Sequence, residues 1–222
     1  MNCLIIAAGS GTRWGDHLGV PKHVAPMCGT TVLGRLVAQF LPHGRVTVVG
    51  HADRRYQIDG ATLWVPDVRG TDADKFLSSR SLWEGRTVIV YGDIFLTDEA
   101  VGRIVSAPDV LQAFGRCDRS KITGTPWGEL FAYNVPEAEQ GRFEEALWDI
   151  DGWEQSGQVD RSGGWELYQR LNGATARNVR KHRLVRNGPC RFVQIDDWSD
   201  DFDYPEDYDR WIAARKAAGL PV

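Results

Sequence analysis

The first hundred residues alternate between short apolar runs and longer stretches in which apolar residues recur with helical spacing. Residues 2–8 are apolar almost throughout, and comparable runs occupy 45–50, 61–65 and 87–91. Continuous apolar runs of this length are typical of strands that are covered on both faces, as in a parallel sheet. We therefore predict four buried strands in this part of the chain.

Three stretches with helical spacing lie between or after these runs, at 31–41, 72–83 and 97–105. A threonine stands at the start of the first and of the third, where its side chain can cap the helix. Strands that alternate with helices in this way predict an α/β fold with a largely parallel sheet.

The pattern is looser beyond residue 105. The predicted strands here are 109–114, 129–135 and 191–195, the predicted helices are 137–148, 165–171 and 205–218, and the Gly-, Asp- and Ser-rich residues 151–164 are predicted to form a loop. No linker or repeat marks a domain boundary, so we expect one domain over residues 1–222. The looser stretch, about 106–190, is expected to be an insertion within it.

The composition is that of an ordinary soluble protein, with 42% hydrophobic and 25% charged residues over 222 positions. The net charge of -4 argues against a nucleic-acid partner, because such proteins usually present a basic face. The four cysteines form no C-x-x-C pair, so reduced thiols in the cytoplasm are expected. No apolar run approaches the length needed to cross a membrane, so no membrane partner is expected.

A glycine-rich loop follows the first predicted strand, with glycines at positions 9, 11 and 15. The P-loop pattern is absent, and the dinucleotide fingerprint fails because the third glycine comes one place late. Arg13 within the loop and Lys22 beyond it add two cations to a backbone that can approach an anion closely. This combination suits a triphosphate, since fixed cations neutralise the charge that develops on a leaving pyrophosphate.

With these residues in place, the sequence resembles the nucleotidyltransferase family with a GT-A-like fold. That family includes sugar-phosphate nucleotidyltransferases, choline-phosphate cytidylyltransferases and the molybdenum-cofactor guanylyltransferases. Its opening signature stands here as LIIAAGSGTR over residues 4–13, followed by Pro21 and Lys22. The resemblance implies a three-layer α/β sandwich of the nucleotide-diphospho-sugar transferase type, with a mixed, mostly parallel sheet.

The resemblance also implies an activity. A nucleoside monophosphate would pass from an NTP, with Mg²⁺ as cofactor, to a small phosphorylated acceptor, and pyrophosphate would be released. The acceptor would be a sugar 1-phosphate or a phospho-alcohol such as phosphocholine, and the insertion at 106–190 would bind it. The family includes monomers and homodimers, and the sequence names neither the nucleobase nor the acceptor.

Two acidic segments are candidates for holding the metal, because Mg²⁺ prefers carboxylate and phosphate oxygens. Asp93 follows the strand at 87–91, as does the metal-binding Asp of the family's G-D motif. The later stretch DDFDYPEDY at 200–208 resembles a family segment in which Asp203 precedes the closing helix. Asp201 lies two residues earlier and would point to the same side of an extended chain. The predicted metal ligands are therefore Asp93, Asp203 and Asp201.

The remaining site residues follow from the same resemblance. Arg13, Lys22 and Asp93 are the predicted catalytic residues. The predicted nucleotide-binding residues are Ala8, Gly9, Ser10, Gly11, Thr12, Arg13, Lys22, Thr71 and Ser81, and the predicted acceptor-binding residues are Glu129, Lys121, Lys181 and Trp165.

Two other classes of function compete with this one. A GT-A glycosyltransferase usually carries D-x-D after the metal strand, whereas Asp93 is followed by Ile94 and Phe95 here. A non-catalytic nucleotide-binding regulator would not need Arg13, Lys22 and the acidic residues together. Release of pyrophosphate separates the nucleotidyltransferase from both alternatives.

Overall fold

The computed structural model describes residues 1–68, 70–180, 182–185 and 187–222. Within these residues the strands are β1 (Asn2–Ile6), β2 (Pro26–Met27), β3 (Thr30–Thr31), β4 (Arg45–Val49), β5 (Thr62–Trp64), β6 (Thr87–Tyr91), β7 (Ile94–Phe95), β8 (Gln112–Arg116), β9 (Glu129–Val135), β10 (Arg191–Gln194) and β11 (Asp200–Asp201).

The α-helices in the same residues are α1 (Val32–Phe40), α2 (Asp72–Leu77), α3 (Asp98–Val105), α4 (Gln140–Gln155), α5 (Gly164–Leu171) and α6 (Pro205–Ala217). Single 3₁₀ turns occupy His17–Gly19, Lys22–Val24, Leu41–His43, Arg54–Tyr56, Arg80–Leu82 and Glu137–Glu139. None of the helices in the described residues is long and apolar enough to cross a membrane.

A central sheet has the spatial order β10-β8-β9-β6-β1-β4-β5. β1 pairs in parallel with β4 and β6, β4 with β5, and β8 with β10. β9 runs antiparallel to both of its neighbours, β6 and β8. The prediction of an α/β fold with a mixed, mostly parallel sheet is confirmed.

Helices cover both faces of this sheet. Side chains of a strand alternate between its two faces, so an apolar strand such as β1 needs cover on both. Cys3 and Ile5 of β1 pack in a core cluster with residues of α1 and α3. Leu4 and Ile6 pack in a second cluster with residues of α2, α4 and α5. The uninterrupted apolar sequence of β1 thus supplies both cores of a three-layer arrangement.

Some predicted boundaries were wrong. Residues 151–155 belong to α4 instead of a loop, because Ile150 and Asp151 are buried and Trp153 packs against the core. The strand predicted at 109–114 is β8, shifted to Gln112–Arg116, where it pairs with β9 and β10. The helix predicted at 72–83 ends at Leu77 and is followed by a 3₁₀ turn.

A third core cluster lies beside the carboxyl edge of the sheet and fixes the glycine-rich loop. Trp14, from the loop, packs with Phe202 and with Tyr208 and Trp211 of α6. The Trp14 indole Nε1 donates a hydrogen bond to the carbonyl of Val20 at 2.8 Å. The closing helix is thereby held against the loop that follows β1.

Candidate active site

The glycine-rich loop leaves the end of β1 in a turn that requires glycine. Gly11 and Gly15 have φ of 63° and 60°, in the left-handed region that residues with a Cβ rarely adopt. The amides of Trp14 and Gly15 both donate to the Gly11 carbonyl. A Cβ built at Gly11 or Gly15 would meet no heavy atom within 4 Å. Conformation, and not crowding, therefore selects glycine at these two positions.

Lys22 is the centre of an ion-pair network at the end of this loop. Its side chain is only 10% exposed, and its ammonium contacts the carboxylates of Asp93 and of Asp203, the latter at 3.1 Å. Arg13 reaches the same Asp203 carboxylate at 2.5 Å. Two cations from the glycine-rich loop and its end therefore meet two carboxylates from distant parts of the chain at the carboxyl edge of the sheet.

A short antiparallel strand pair brings the two carboxylates together. β7 follows Asp93 directly, and it pairs with β11, which precedes Asp203. The amide of Phe202 donates to the Asp93 carbonyl at 3.1 Å. Gly92 makes the close approach to β1 feasible, because a Cβ there would lie 2.8 Å from the Ile6 carbonyl oxygen.

The network shifts the pKa values of its members. Burial works to lower the pKa of Lys22, but the carboxylates of Asp93 and Asp203 outweigh it and raise that pKa above its ordinary value. Burial works to raise the pKa of Asp93, but Lys22 beside it brings the pKa below its ordinary value. Burial lowers the pKa of His23 to about 3. Lys22 and Asp93 are therefore charged, and His23 is neutral, near neutral pH.

A second group of carboxylates lies next to this network. Burial, together with the charge of Asp203, raises the pKa of Glu129 to about 8. Burial and the charge of Glu129 raise the pKa of Asp201 well above its ordinary value. The Asp201 side chain is buried, and its Oδ1 has no hydrogen-bond partner. Among the described residues, no ion pair joins either of these carboxylates to Lys22 or Arg13.

Asp200, the neighbour of Asp201, has a structural role. It is fully buried and forms an ion pair with Arg116 at 2.8 Å. The hydroxyls of Ser120 and Thr123 donate to its second oxygen at 2.5 and 2.9 Å. These contacts fix β11 to the segment after β8. Asp200 therefore has a structural role, whereas Asp201 and Asp203 line the cavity.

A cavity of about 320 Å³ joins the two carboxylate groups. The predicted site residues that line it are Gly9, Ser10, Gly11, Thr12, Arg13, Lys22, Asp93, Glu129, Trp165, Asp201 and Asp203. Asp201 and Asp203 both face it, as expected for residues two apart in an extended chain.

Other predicted site residues are not brought to the cavity. Ala8 is buried behind the loop, and Ser81 is exposed in a 3₁₀ turn. Thr71 caps α2, which places it beside the cavity wall without lining it. Lys121 forms an ion pair with Asp196 on the surface, and both side chains are more than half exposed. Lys181 lies outside the described residues.

The cavity also has lining residues that the sequence analysis did not assign to the site: His23, Asp72, Lys75, Tyr91, Trp127, Arg161, His182 and Tyr204. Tyr91 could have been found, since it ends the strand that leads to Asp93 and lies at the same edge of the sheet. Arg161 and His182 lie in loops and turns with no motif, so no sequence signal marked them.

The family comparison agrees with this geometry. The MobA-like NTP transferase domain matches residues 3–109, the part that contains the glycine-rich loop, Lys22 and Asp93. The matched domain and the fold both resemble those of nucleotidyltransferases with a GT-A-like fold. The resemblance recognised from the sequence motifs is confirmed.

Individual relatives cover this chain to different extents. The bifunctional protein GlmU of Neisseria meningitidis serogroup A is 34% identical over 106 residues, which are 44% of this chain and 23% of GlmU. The match thus spans about a quarter of that relative.

Two solved structures resemble nearly the whole chain. Rv0371c from Mycobacterium tuberculosis H37Rv has a TM-score of 0.62 and 16% identity, covering 96% of this chain and 98% of its own. The CTP:phosphocholine cytidylyltransferase LicC from Streptococcus pneumoniae has a TM-score of 0.59 and 12% identity, covering 94% and 96%. At these identities the likeness defines the fold.

Proposed function

We propose that this chain is a Mg²⁺-dependent nucleotidyltransferase that transfers a nucleoside monophosphate from an NTP to a small phosphorylated acceptor. The observation that carries the proposal is the convergence of Asp93 and Asp203 on the ammonium of Lys22, at the end of the glycine-rich loop. Pyrophosphate is the second product. The matched family and the name of LicC support the same chemistry.

The loop and its two cations form the triphosphate site in this proposal. Residues 9–13 line the cavity, and the backbone amides of such a loop can donate to phosphate oxygens. Arg13 and Lys22 are close enough to share Asp203, so both can contact one triphosphate. Their charge is most valuable in the transition state, when negative charge builds on the departing pyrophosphate.

The residues present suit a magnesium ion. Among the described residues no three or more His, Cys, Asp or Glu side chains form a preformed metal cluster. Mg²⁺ commonly uses one or two carboxylates and takes its other ligands from phosphates and water. Oxygens of Asp93 and Asp203 already contact a single cationic atom, Lys22 Nζ, so they can approach one small cation. When bound, Mg²⁺ would neutralise phosphate charge and orient the α-phosphate.

The reaction needs no nucleophile from the protein. An oxygen of the acceptor phosphate attacks the α-phosphorus and forms a new P–O–P linkage. The bond from the α-phosphorus to the oxygen that bridges to the β-phosphate breaks, and its electron pair leaves with pyrophosphate. Because the acceptor phosphate is already ionised, positioning and charge stabilisation are sufficient.

The acceptor would lie on the side of the cavity formed by residues 106–190. This segment supplies Glu129 from β9 and Trp165 from α5, and both line the cavity. The acceptor would be a sugar 1-phosphate or a phospho-alcohol.

The test is pyrophosphate release with Mg²⁺, measured for each of the four NTPs and dTTP against a pool of sugar 1-phosphates and phospho-alcohols. We expect release that requires one NTP and one acceptor and that stops when EDTA is added. A protein that is thermally stabilised by an NTP but releases no pyrophosphate with any pair would contradict the proposal and favour a regulatory nucleotide-binding role.

A further inference from the structure

Two carboxylates in the cavity have no counter-charge in direct contact. Among the described residues, Asp201 and Glu129 form no ion pair, although Asp201 is buried and both line the cavity. The Oδ1 atom of Asp201 also lacks a hydrogen-bond partner. A buried carboxylate without a partner is costly, so such a group in a native protein is a candidate for contact with a ligand.

The other carboxylates nearby each lie beside a cationic side chain. Arg13 and Lys22 pair with Asp203, and Arg116 pairs with Asp200. The carboxylate of Asp207 is 3.7 Å from Arg210 and accepts a hydrogen bond from the amide of Tyr204. In the described part of the chain, Glu129 and Asp201 are therefore the two carboxylates of this group without a counter-charge in direct contact.

A smaller cavity of about 110 Å³ adjoins this pair. It shares Arg13, Trp127, Glu129, Asp201, Asp203 and Tyr204 with the larger cavity. Trp127 and Tyr204 are 44% and 43% exposed and line both cavities, so their rings are accessible to a ligand there. The Tyr204 ring already lies 5.5 Å from the guanidinium carbon of Arg13, so a cation can approach it. Aromatic rings and carboxylates together are a common environment for organic cations.

We propose that the acceptor carries a positively charged nitrogen in addition to its phosphate, and that Glu129 and Asp201 bind this nitrogen beside Trp127 and Tyr204. Asp201, predicted from the sequence as a third metal ligand, then contacts the acceptor, and the metal is left to Asp93 and Asp203. The proposal rests on the proposed function, because the acceptor phosphate must lie at the α-phosphate of the NTP. The acceptor class is therefore an ammonium-bearing alkyl phosphate, with a primary amine or a quaternary nitrogen, and not a neutral sugar phosphate.

The first test uses four probes: phosphocholine, phosphoethanolamine, glucose 1-phosphate and 3,3-dimethylbutyl phosphate. The last is the isostere of phosphocholine in which an uncharged carbon replaces the quaternary nitrogen. Phosphocholine and this isostere therefore differ in charge but have nearly the same shape. We expect kcat/KM for a cationic acceptor to exceed that of the isostere by about 10- to 100-fold, the range for contacts to a charged group. The primary and quaternary amines then show which kind of nitrogen the site takes.

A calorimetric titration of phosphocholine and of its isostere into the Mg²⁺-loaded protein adds a readout that does not need turnover. Tighter binding of phosphocholine supports the proposal. Equal affinity, or no binding of either, overturns it.

Variants connect the preference to the carboxylates. Asp201→Asn and Glu129→Gln keep the shape of each side chain, and each should reduce the ratio of kcat/KM for phosphocholine to kcat/KM for the isostere about 10-fold or more. Asp207→Asn is the matched control. Asp207 also lines the smaller cavity, but its carboxylate already accepts a hydrogen bond from the amide of Tyr204. The control should keep the preference for the cation.

The two proposals fail in different ways. Turnover of glucose 1-phosphate or the isostere at least as fast as of the cationic acceptors would overturn this inference and leave the nucleotidyltransferase intact. Preference for the cation that survives both Asp201→Asn and Glu129→Gln would likewise overturn it. Absence of pyrophosphate with every acceptor would contradict the proposed function itself.

Discussion

Replacement of Lys22 by methionine tests the ion-pair network most directly. The substitution keeps an unbranched side chain of similar length but leaves Asp93 and Asp203 without the ammonium that they share. Their side chains are only 20% and 25% exposed, so they cannot fully regain hydration. Removal of one partner from a buried pair costs about 3–5 kcal/mol. Because these carboxylates keep some solvent contact, we expect a loss of about 2–4 kcal/mol in the free energy of unfolding at pH 7.

The pH dependence of this loss follows from the signs of the pKa shifts. The pKa of Asp93 is lowered, so the pairing stabilises the fold above the ordinary value of 3.8 and is lost as the pH falls through the folded value. The pKa of Lys22 is raised, so its contribution is complete below the ordinary value of 10.5 and is lost as the pH rises through the folded value. The difference between wild type and Lys22→Met should therefore be largest between about pH 4 and 10 and shrink below pH 4.

Urea unfolding followed by tryptophan fluorescence measures this difference at several pH values. Mg²⁺ provides a second readout, because in the proposed metal site it would take the place of the ammonium between the two carboxylates. We expect Mg²⁺ to raise the stability of Lys22→Met more than that of the wild type. In kinetics, loss of about 2–4 kcal/mol of transition-state stabilisation corresponds to a fall of about 30- to 1000-fold in kcat/KM.

Lys121→Met is the matched control. The same change removes an ion pair with Asp196 in which both partners are largely exposed, outside the cavity. Such pairs are worth about 0–1 kcal/mol, so stability should change little and kcat/KM should not change. Equal stability of the two variants, or wild-type kinetics of Lys22→Met, would refute the role of the network.

Three further predictions concern single positions. Asp93→Ala should abolish pyrophosphate release with the circular dichroism spectrum unchanged, and wild-type turnover would remove Asp93 from the metal site. Asp200→Ala should lower the free energy of unfolding by about 3–5 kcal/mol in urea titration, because it leaves buried Arg116 unpaired, and a change under 1 kcal/mol would contradict the anchoring role. Gly92→Ala should lower the thermal midpoint, since its Cβ would lie 2.8 Å from both the Ile6 carbonyl oxygen and the Ala7 Cβ, and an unchanged midpoint would mean that the backbone moves without cost.

The sequence was informative where the signal is local. The apolar run of β6 and the helix capped by Thr97 needed only neighbouring residues, and both were located closely. The glycine-rich loop was recognisable because backbone conformation at Gly11 and Gly15 constrains the residue type itself. Local periodicity was less reliable in α4, where burial of Ile150 extends the helix into residues that look like a loop.

The sequence by itself therefore determined the α/β class, the glycine-rich loop with Arg13 and Lys22, and the position of Asp93 at a strand end. Only the tertiary structure decided that Asp203 meets Asp93 at Lys22, because this contact depends on pairing between β7 and β11, which lie about a hundred residues apart in the chain. It also decided that Asp200 is neutralised by Arg116 while its neighbour Asp201 is not. Periodicity records which side a residue faces, whereas the partner on that side is set by packing between distant segments.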